Sequence, residues 1–403
     1  MIRFERRLNT KLWVRLCVPL GSLLVAFIIV TLVLFVSGVG AWSTYSAMIS
    51  ASITSSSGLS ETFIIATPII LTGLCATMAF RMGIYNIGGE GQLYMGAMAA
   101  TAVALALRGE PGYIIIIAMT VAAALAGCVW SLIPGLLRAY FSTNEILVSL
   151  MLNYVAGYFI SYLIFDSRSY WRDLTSAAGQ VYPIGKTIPS ASFWPAPKLG
   201  QVGVPLGLML AVVLAVACAV CLRRSTLGLK IRMTAGSVAA ARYSGLNVKR
   251  LIVVVMLISG ALAGIAGAAV IGSASHALDP TGLQQVQYGY AGIIAAALGA
   301  FDPIVVFAAG LLLGAITSAG SILVGPSFPV GLTGTIEWII LFSVISGAFL
   351  LNFRVRWRPR KRRTTDDGHS QQPAVPSPLQ SPTLAGGLGM TSSSAQLTEG
   401  GVS

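Results

Sequence analysis

The sequence predicts an all-α, polytopic membrane helical bundle of about ten transmembrane helices with a weak internal repeat. Three observations lead there. Mean hydropathy is +0.80 and only 10% of the 403 residues are charged, where a soluble domain carries about 25%. Several uninterrupted apolar runs reach roughly 20 residues, the length at which a helix crosses a bilayer. Basic residues gather in three blocks, as they do on the cytoplasmic flanks of membrane helices. A β-barrel would show segments of about 10 residues with alternating polarity, and the sequence has no such pattern.

In chain order, the spans fall at 18–40, 61–80, 87–107, 113–133, 145–165, 203–222, 251–273, 286–301, 304–324 and 332–351. The first run is too long for a signal-peptide core, so it reads as a retained helix. The second contains Pro68, and the third opens on the Gly-rich stretch "MGIYNIGGEGQ", Met82 to Gln92. The fifth carries a polar stripe. The connection 166–202 holds Trp171 and Trp194, which suit a membrane interface. The sixth span ends in Cys218 and Cys221, a C-x-x-C spacing without a second pair, which reads as small packing residues. The seventh and ninth contain "GALAG" and "GLLLG", whose glycines four apart permit close helix approach. The eighth, 286–301, is the shortest. Residues 1–352 form the membrane domain. From 353 to 403 the chain is first basic, then rich in Ser, Pro, Gly and Thr, a composition that favours disorder.

An even number of spans places both termini on one side. Five basic residues lie before the first span, from Arg3 to Arg15. Seven lie in the connection from Arg223 to Arg250, and seven follow the last span, from Arg354 to Arg363. All three blocks then fall inside with Arg81 and Arg138, which supports ten spans over nine or eleven. The formal net charge of +13 therefore reports orientation, not nucleic-acid binding. The last block also suits anionic membrane lipids.

Enzyme chemistry finds little support. "GQVYPIGKT" misses the phosphate-binding loop pattern, with five residues between its glycines instead of four. His276 and His369 are the only histidines, so neither a histidine metal site nor a catalytic triad is expected. Three segments do carry chemistry. In the first, Asn86, Glu90 and Gln92 break an apolar run. Irregular polar backbone at membrane depth is tolerated only inside protein or along a water-filled cavity, so these side chains should face the interior. They are either substrate contacts or a structural hinge, with Arg81 near Glu90 in sequence as a partner for it.

The second segment is "STNEILVSLMLNYVAGYFISYLIF", Ser142 to Phe165. Glu145, Ser149, Asn153, Gly157 and Ser161 recur every four residues, and Tyr154, Tyr158 and Tyr162 form a neighbouring stripe. Asn153 stands roughly 12 Å along the helix from Glu145, near mid-membrane. Asn153, Tyr154 and Tyr158 either line a pathway or bond neighbouring helices. Glu145 is either a helix-start carboxylate favoured by the dipole or a gating contact. The third segment is the connection Arg223 to Arg250, with seven basic residues and no acidic one. Its "AAARYSG" (Ala239 to Gly245) can form a short helix ended by Gly245, either a plain connector or a docking helix.

That third motif carries a resemblance. "AAARYSG" is similar to the cytoplasmic coupling motif of bacterial ABC-importer permease subunits, whose common form is Glu-Ala-Ala, three variable residues, then Gly. Ala240, Ala241 and Gly245 match, Arg242 is variable, and Ala239 replaces the usual Glu. Within the branch serving ribose-like sugars, branched-chain amino acids and nucleosides, "YNIGGEGQLYMGA" and "STNEILVSLMLNYVA" look most like nucleoside permeases. The resemblance implies a non-catalytic subunit in the bacterial inner membrane, moving a nucleoside by alternating access. It implies no cofactor in this chain, with ATP and Mg on separate cytoplasmic ATPase subunits. An extracytoplasmic binding protein and a second homologous permease would complete the assembly. A simple sugar is the alternative substrate. A secondary transporter using Glu90 and Glu337 as ion sites is the rival mechanism.

Overall fold

The computed structural model describes residues 2–6, 12–36, 38, 40–166, 170–176, 179, 181–322, 334–336, 338–340, 342–343, 346–347 and 353–357. The compact unit Ile2–Arg356 contains every helix used below. It is all-α in its membrane part: α1 (Leu12–Val36), α2 (Ala41–Ile49), α3 (Ser56–Phe80), α4 (Gly89–Ala106), α5 (Gly112–Phe141), α6 (Glu145–Phe165), α7 (Leu206–Arg224), α8 (Thr226–Gly236), α9 (Val238–Tyr243), α10 (Val248–Val270), α11 (Pro280–Val286), α12 (Tyr288–Leu298) and α13 (Pro303–Ile322). Two small sheets are added: Ile2–Arg6 with Phe353–Trp357, and Lys198–Leu199 antiparallel to Val202–Gly203.

Among the described residues six helical segments are long and apolar enough to cross a membrane: Ser56–Phe80, Gly112–Phe141, Glu145–Phe165, Leu206–Arg224, Val248–Ser275 and Pro303–Ser321. The chain is a multi-pass membrane protein. Pro68 does not break α3, which continues on both sides of it from Ser56 to Phe80. The predicted spans 87–107 and 286–301 appear as α4, with Gly, Glu and Gln in its first turn, and α12, only 11 residues long. Half of 332–351, with Glu337, lies outside the described residues.

α3 is the axis of the bundle, with 83% of its apolar window buried; α10, α12 and α13 pack around it. Small residues set the spacing. In α10, a Cβ on Gly264 would overlap the Ala123 carbonyl of α5, and one on Gly260 would overlap Gly127 and Ser131. In α13, Gly310 lies against Ile70 and Gly314 against Ala66. Both glycine pairs are packing devices.

The two ends of the bundle differ. At the basic end, Arg223 at the end of α7 is 2.7 Å from the Asp302 carboxylate before α13, and Arg81 is 3.7 Å from it. At the far end, the connection after α6 is stitched to the segment beyond α10: Gly185 N–H donates to Leu278 O (3.0 Å), Ile188 N–H to His276 O (2.9 Å) and Trp194 N–H to Gly272 O (2.9 Å). Trp194 corrects its expected interfacial role. Its indole is 5% exposed, because it fills the space above Gly272, where any Cβ would overlap it.

Candidate functional site

The break between α3 and α4 is built on the first turns of α6. Gly83 turns the chain at φ +82°, a left-handed value that favours glycine. The extended backbone then climbs beside α6. Tyr85 N–H donates to Glu145 Oε1 (3.4 Å), Ile87 N–H to Ser149 Oγ (3.2 Å) and Gly91 N–H to Asn153 Oδ1 (2.9 Å). Asn153 Nδ2 donates back to Ile87 O (2.9 Å). The stripe at 145, 149 and 153 thus serves the backbone polar groups that a helix would have paired internally. Gly91 is required by proximity, since a Cβ there would lie 2.9 Å from Asn153 Oδ1 and 3.0 Å from its Cα.

Asn86 and Gln92 lie inside, as the sequence predicts, but they bond to each other. Asn86 is 1% exposed. Its Nδ2 donates to Ser259 Oγ (2.9 Å) and Gln92 Oε1 (3.2 Å), while its Oδ1 accepts from Gly88 N–H (3.0 Å) and Gln92 Nε2 (3.1 Å). Ser259 in turn donates to Cys75 O at 2.8 Å. This closed network clamps the break to α3 and α10.

Glu90 sits in the first turn of α4 and is 2% exposed. Its Oε2 accepts from Gly289 N–H, in the first turn of α12. The expected partner Arg81 is not there. Its Nε donates to Phe301 O at 2.8 Å and its Nη2 lies 3.7 Å from the Asp302 carboxylate. Arg81 terminates α3 at the basic end, whereas Glu90 lies deeper and meets the positive end of α12 instead. Gly289 passes so close that a Cβ would overlap the Glu90 backbone, and the Thr72 hydroxyl bonds Tyr288 O at 2.9 Å. From this meeting point α4 runs to the far end, and α12 runs to Phe301 and Asp302 at the basic end. Two half-helices therefore start back to back in the bundle interior.

A cavity of about 510 Å³ opens beside that junction. Glu90, Asn153, Tyr154 and Tyr158 line it, joined by four polar residues that the sequence reading missed: Tyr94, Gln284, Gln287 and Tyr290. The Tyr290 hydroxyl accepts from Asn153 Nδ2 at 3.2 Å, and Gln284 Nε2 reaches Ser161 Oγ at 3.0 Å. Asn86 and Gln92 are absent from the lining. Tyr158, 75% exposed, stands at the open rim. The "YGY" of α12 held a signal for Tyr290; nothing local pointed to Gln284 and Gln287. Glu145 is paired with Arg138 at 3.3 Å, and Asn144 is the cap, accepting from Ile146 N–H at 3.0 Å.

The basic connection is folded. Ser225 caps α8 and Ser237 caps α9. α9 ends at Tyr243 and the chain leaves through Gly245 at φ +79°. Ala241 is buried against the bundle, whereas Ala240, Arg242 and Gly245 are exposed and Tyr243 is 95% exposed. The Asp302 carboxyl nearby is subject to two opposing influences. Burial raises it, but the Arg223 hydrogen bond, the Ile304 N–H and the Arg223 and Arg81 charges outweigh this. It therefore sits below the ordinary carboxylate range.

Residues 58–352 match the family described as branched-chain amino acid transport system, permease component. The chain is 36% identical to the guanosine ABC transporter permease NupP of Bacillus subtilis, over 74% of this chain and 84% of that one. It is 30% identical to the glucose ABC transporter permease TsgB13 of Haloferax volcanii, over 88% and 93%. It is 26% identical to a second guanosine permease of B. subtilis, NupQ, over 63% and 78%. With the broken helices, the interior cavity and the exposed basic-end helix, these likenesses converge: the chain belongs to the permease-component family of the branched-chain amino acid transport system, and is a non-catalytic membrane subunit of an ABC importer.

Proposed function

We propose that this subunit moves a nucleoside inward by alternating access, with the cavity at the α4–α12 junction as part of its pathway. The observation that carries the reading is the lining itself. Amides of Gln284 and Gln287 and the Tyr290 hydroxyl, which Asn153 positions, suit ribose and base edges, and Tyr154 and Tyr158 offer aromatic faces for stacking. NupP and NupQ, both named for guanosine, support the substrate class. Glu90 serves the pathway directly; Asn86 and Gln92 serve it by holding the break open.

In this reading the chain crosses the membrane ten times, counting α4 and α12 as the interrupted members of a weak repeat. The basic end and both termini are cytoplasmic. ATPase subunits carrying ATP and Mg dock on the coupling segment at Ala240, Ala241, Arg242 and Gly245. A binding protein delivers substrate to the far end, and a second homologous permease completes the pore; that B. subtilis has two such relatives, NupP and NupQ, favours a pair of different subunits. The ion-gradient alternative loses its ground with the family assignment.

A simple sugar is the second reading, favoured by the likeness to the glucose permease TsgB13 over most of the chain. Uptake of labelled guanosine and glucose separates the two, in cells retaining ATP with proton and sodium gradients collapsed. Guanosine uptake is expected to persist. Uptake of glucose alone replaces the nucleoside by a sugar, and loss of all uptake with the gradients restores the ion-coupled mechanism.

A further inference from the structure

Glu90 is the only carboxylate in the described cavity lining, and its two oxygens are treated differently. Oε2 takes the Gly289 N–H. Oε1 is buried and accepts no hydrogen bond of good geometry among the described residues; the Tyr94 hydroxyl and the Tyr290 N–H are the nearby donors that act on the carboxyl. A buried carboxylate oxygen without a donor is costly and calls for an explanation. The N-termini of α4 and α12 both point their positive ends at this group. The described lining contributes no Lys, Arg or His.

We propose that Glu90 is a specificity-determining residue: Oε1 accepts an N–H or O–H of the permeant, and a lining without Lys, Arg or His among the described residues rejects permeants bearing a phosphate or an α-carboxylate. The proposal rests on the cavity being the transport pathway. An anionic group entering here would lose its hydration, meet no counter-charge from the described lining and face the Glu90 carboxyl. An uncharged permeant rich in donors would instead satisfy the oxygen that the protein leaves open.

Glu90→Gln separates this from a purely structural role. The amide oxygen keeps the acceptor for Gly289 N–H, while the NH2 places a donor where Oε1 stood. A capping role survives the change; an acceptor role is inverted. The experiment measures kcat/KM for uptake by the complete transporter. Its permeants are guanosine, inosine (no 2-amino group), 1-methylguanosine and the 2′- and 3′-deoxyguanosines. The binding protein's own selectivity is common to wild type and variant and cancels in their ratio.

The expected result is that one donor-deleted analogue is disfavoured about tenfold or more in wild type, the effect of a lost hydrogen bond to a charged group, and that this penalty collapses in Glu90→Gln. An equal loss for every permeant, or unchanged discrimination, overturns the acceptor role. The wild type alone tests the second half, even if the variant does not assemble: guanosine monophosphate and leucine are expected to be excluded, and uptake of either overturns the proposal. If wild type carries glucose but no nucleoside, the nucleoside reading fails, and the Glu90 test proceeds with glucose and its monodeoxy analogues.

Discussion

Asn153 shows how one amide can hold a membrane break together. It accepts from Gly91 N–H, donates to Ile87 O and the Tyr290 hydroxyl, and still borders the cavity. Asn153→Leu leaves two backbone groups unpaired, at about 1–3 kcal/mol for each buried group. It is therefore expected to lower both the melting temperature in detergent and the uptake rate. An unchanged melting curve would show that the tie contributes nothing to stability. Asp302 is a second residue whose effect is set by its neighbours. Its carboxyl titrates below the ordinary value, so the stabilisation it gives is present above about pH 4 and fades as pH falls through the lower folded value. Arg223 is half exposed, so the gain is small, under about 1 kcal/mol. Asp302→Asn should melt slightly earlier than wild type at pH 7, and the two curves should converge in acid.

At the scale of elements, glycine positions decide which helices can touch. Gly264→Leu would drive α10 away from α5, with an overpacking cost of about 1–3 kcal/mol; reduced folded yield and melting temperature are expected. Gly245 acts differently, through its left-handed φ of +79°. Gly245→Val strains the exit of α9 by about 1–2 kcal/mol. In reconstituted vesicles it is expected to preserve ATP hydrolysis while reducing coupled uptake. Coupling at wild-type efficiency would remove the segment from the docking role. The elements themselves were largely legible in the sequence. The predicted spans 61–80, 145–165 and 251–273 correspond to α3, α6 and α10 because apolar length marks them; the caps Ser55, Asn144 and Asn247 start each helix at or before the expected residue. α5 continues well past the expected end near residue 133, through Pro134 to Phe141, because a lone proline does not stop a helix packed on its neighbours. The break at 82–92 was also legible. Its partners were not: Ser259 lies 173 residues from Asn86, and Gly289 lies 199 from Glu90. Hydrophobic periodicity carries no information on contacts of that range.

Across the whole molecule, the organising feature is the pair of half-helices that start at one buried point and leave toward opposite ends. Gly289, Glu90, Thr72 and Asn153 meet there, and each is small or polar. The ion pairs among the described residues lie at the basic end, in the Arg81–Asp302–Arg223 group, which is partly open to water, and in the Arg138–Glu145 pair. The far end is closed by backbone bonds. Asp173 N–H donates to Ile184 O (3.0 Å) and Lys186 N–H to Trp171 O (2.9 Å), besides the three bonds that join 185–194 to 272–278. A connection tied in this way should not exchange its amide hydrogens like a surface loop. Deuterium labelling of the intact protein is expected to find Gly185, Ile188 and Trp194 protected for times closer to those of α10 than to those of Gly109 or Gly200, which lie in open turns. The far end would then be the slow, rigid face of the molecule, and whatever flexes during transport would have to be sought deeper in.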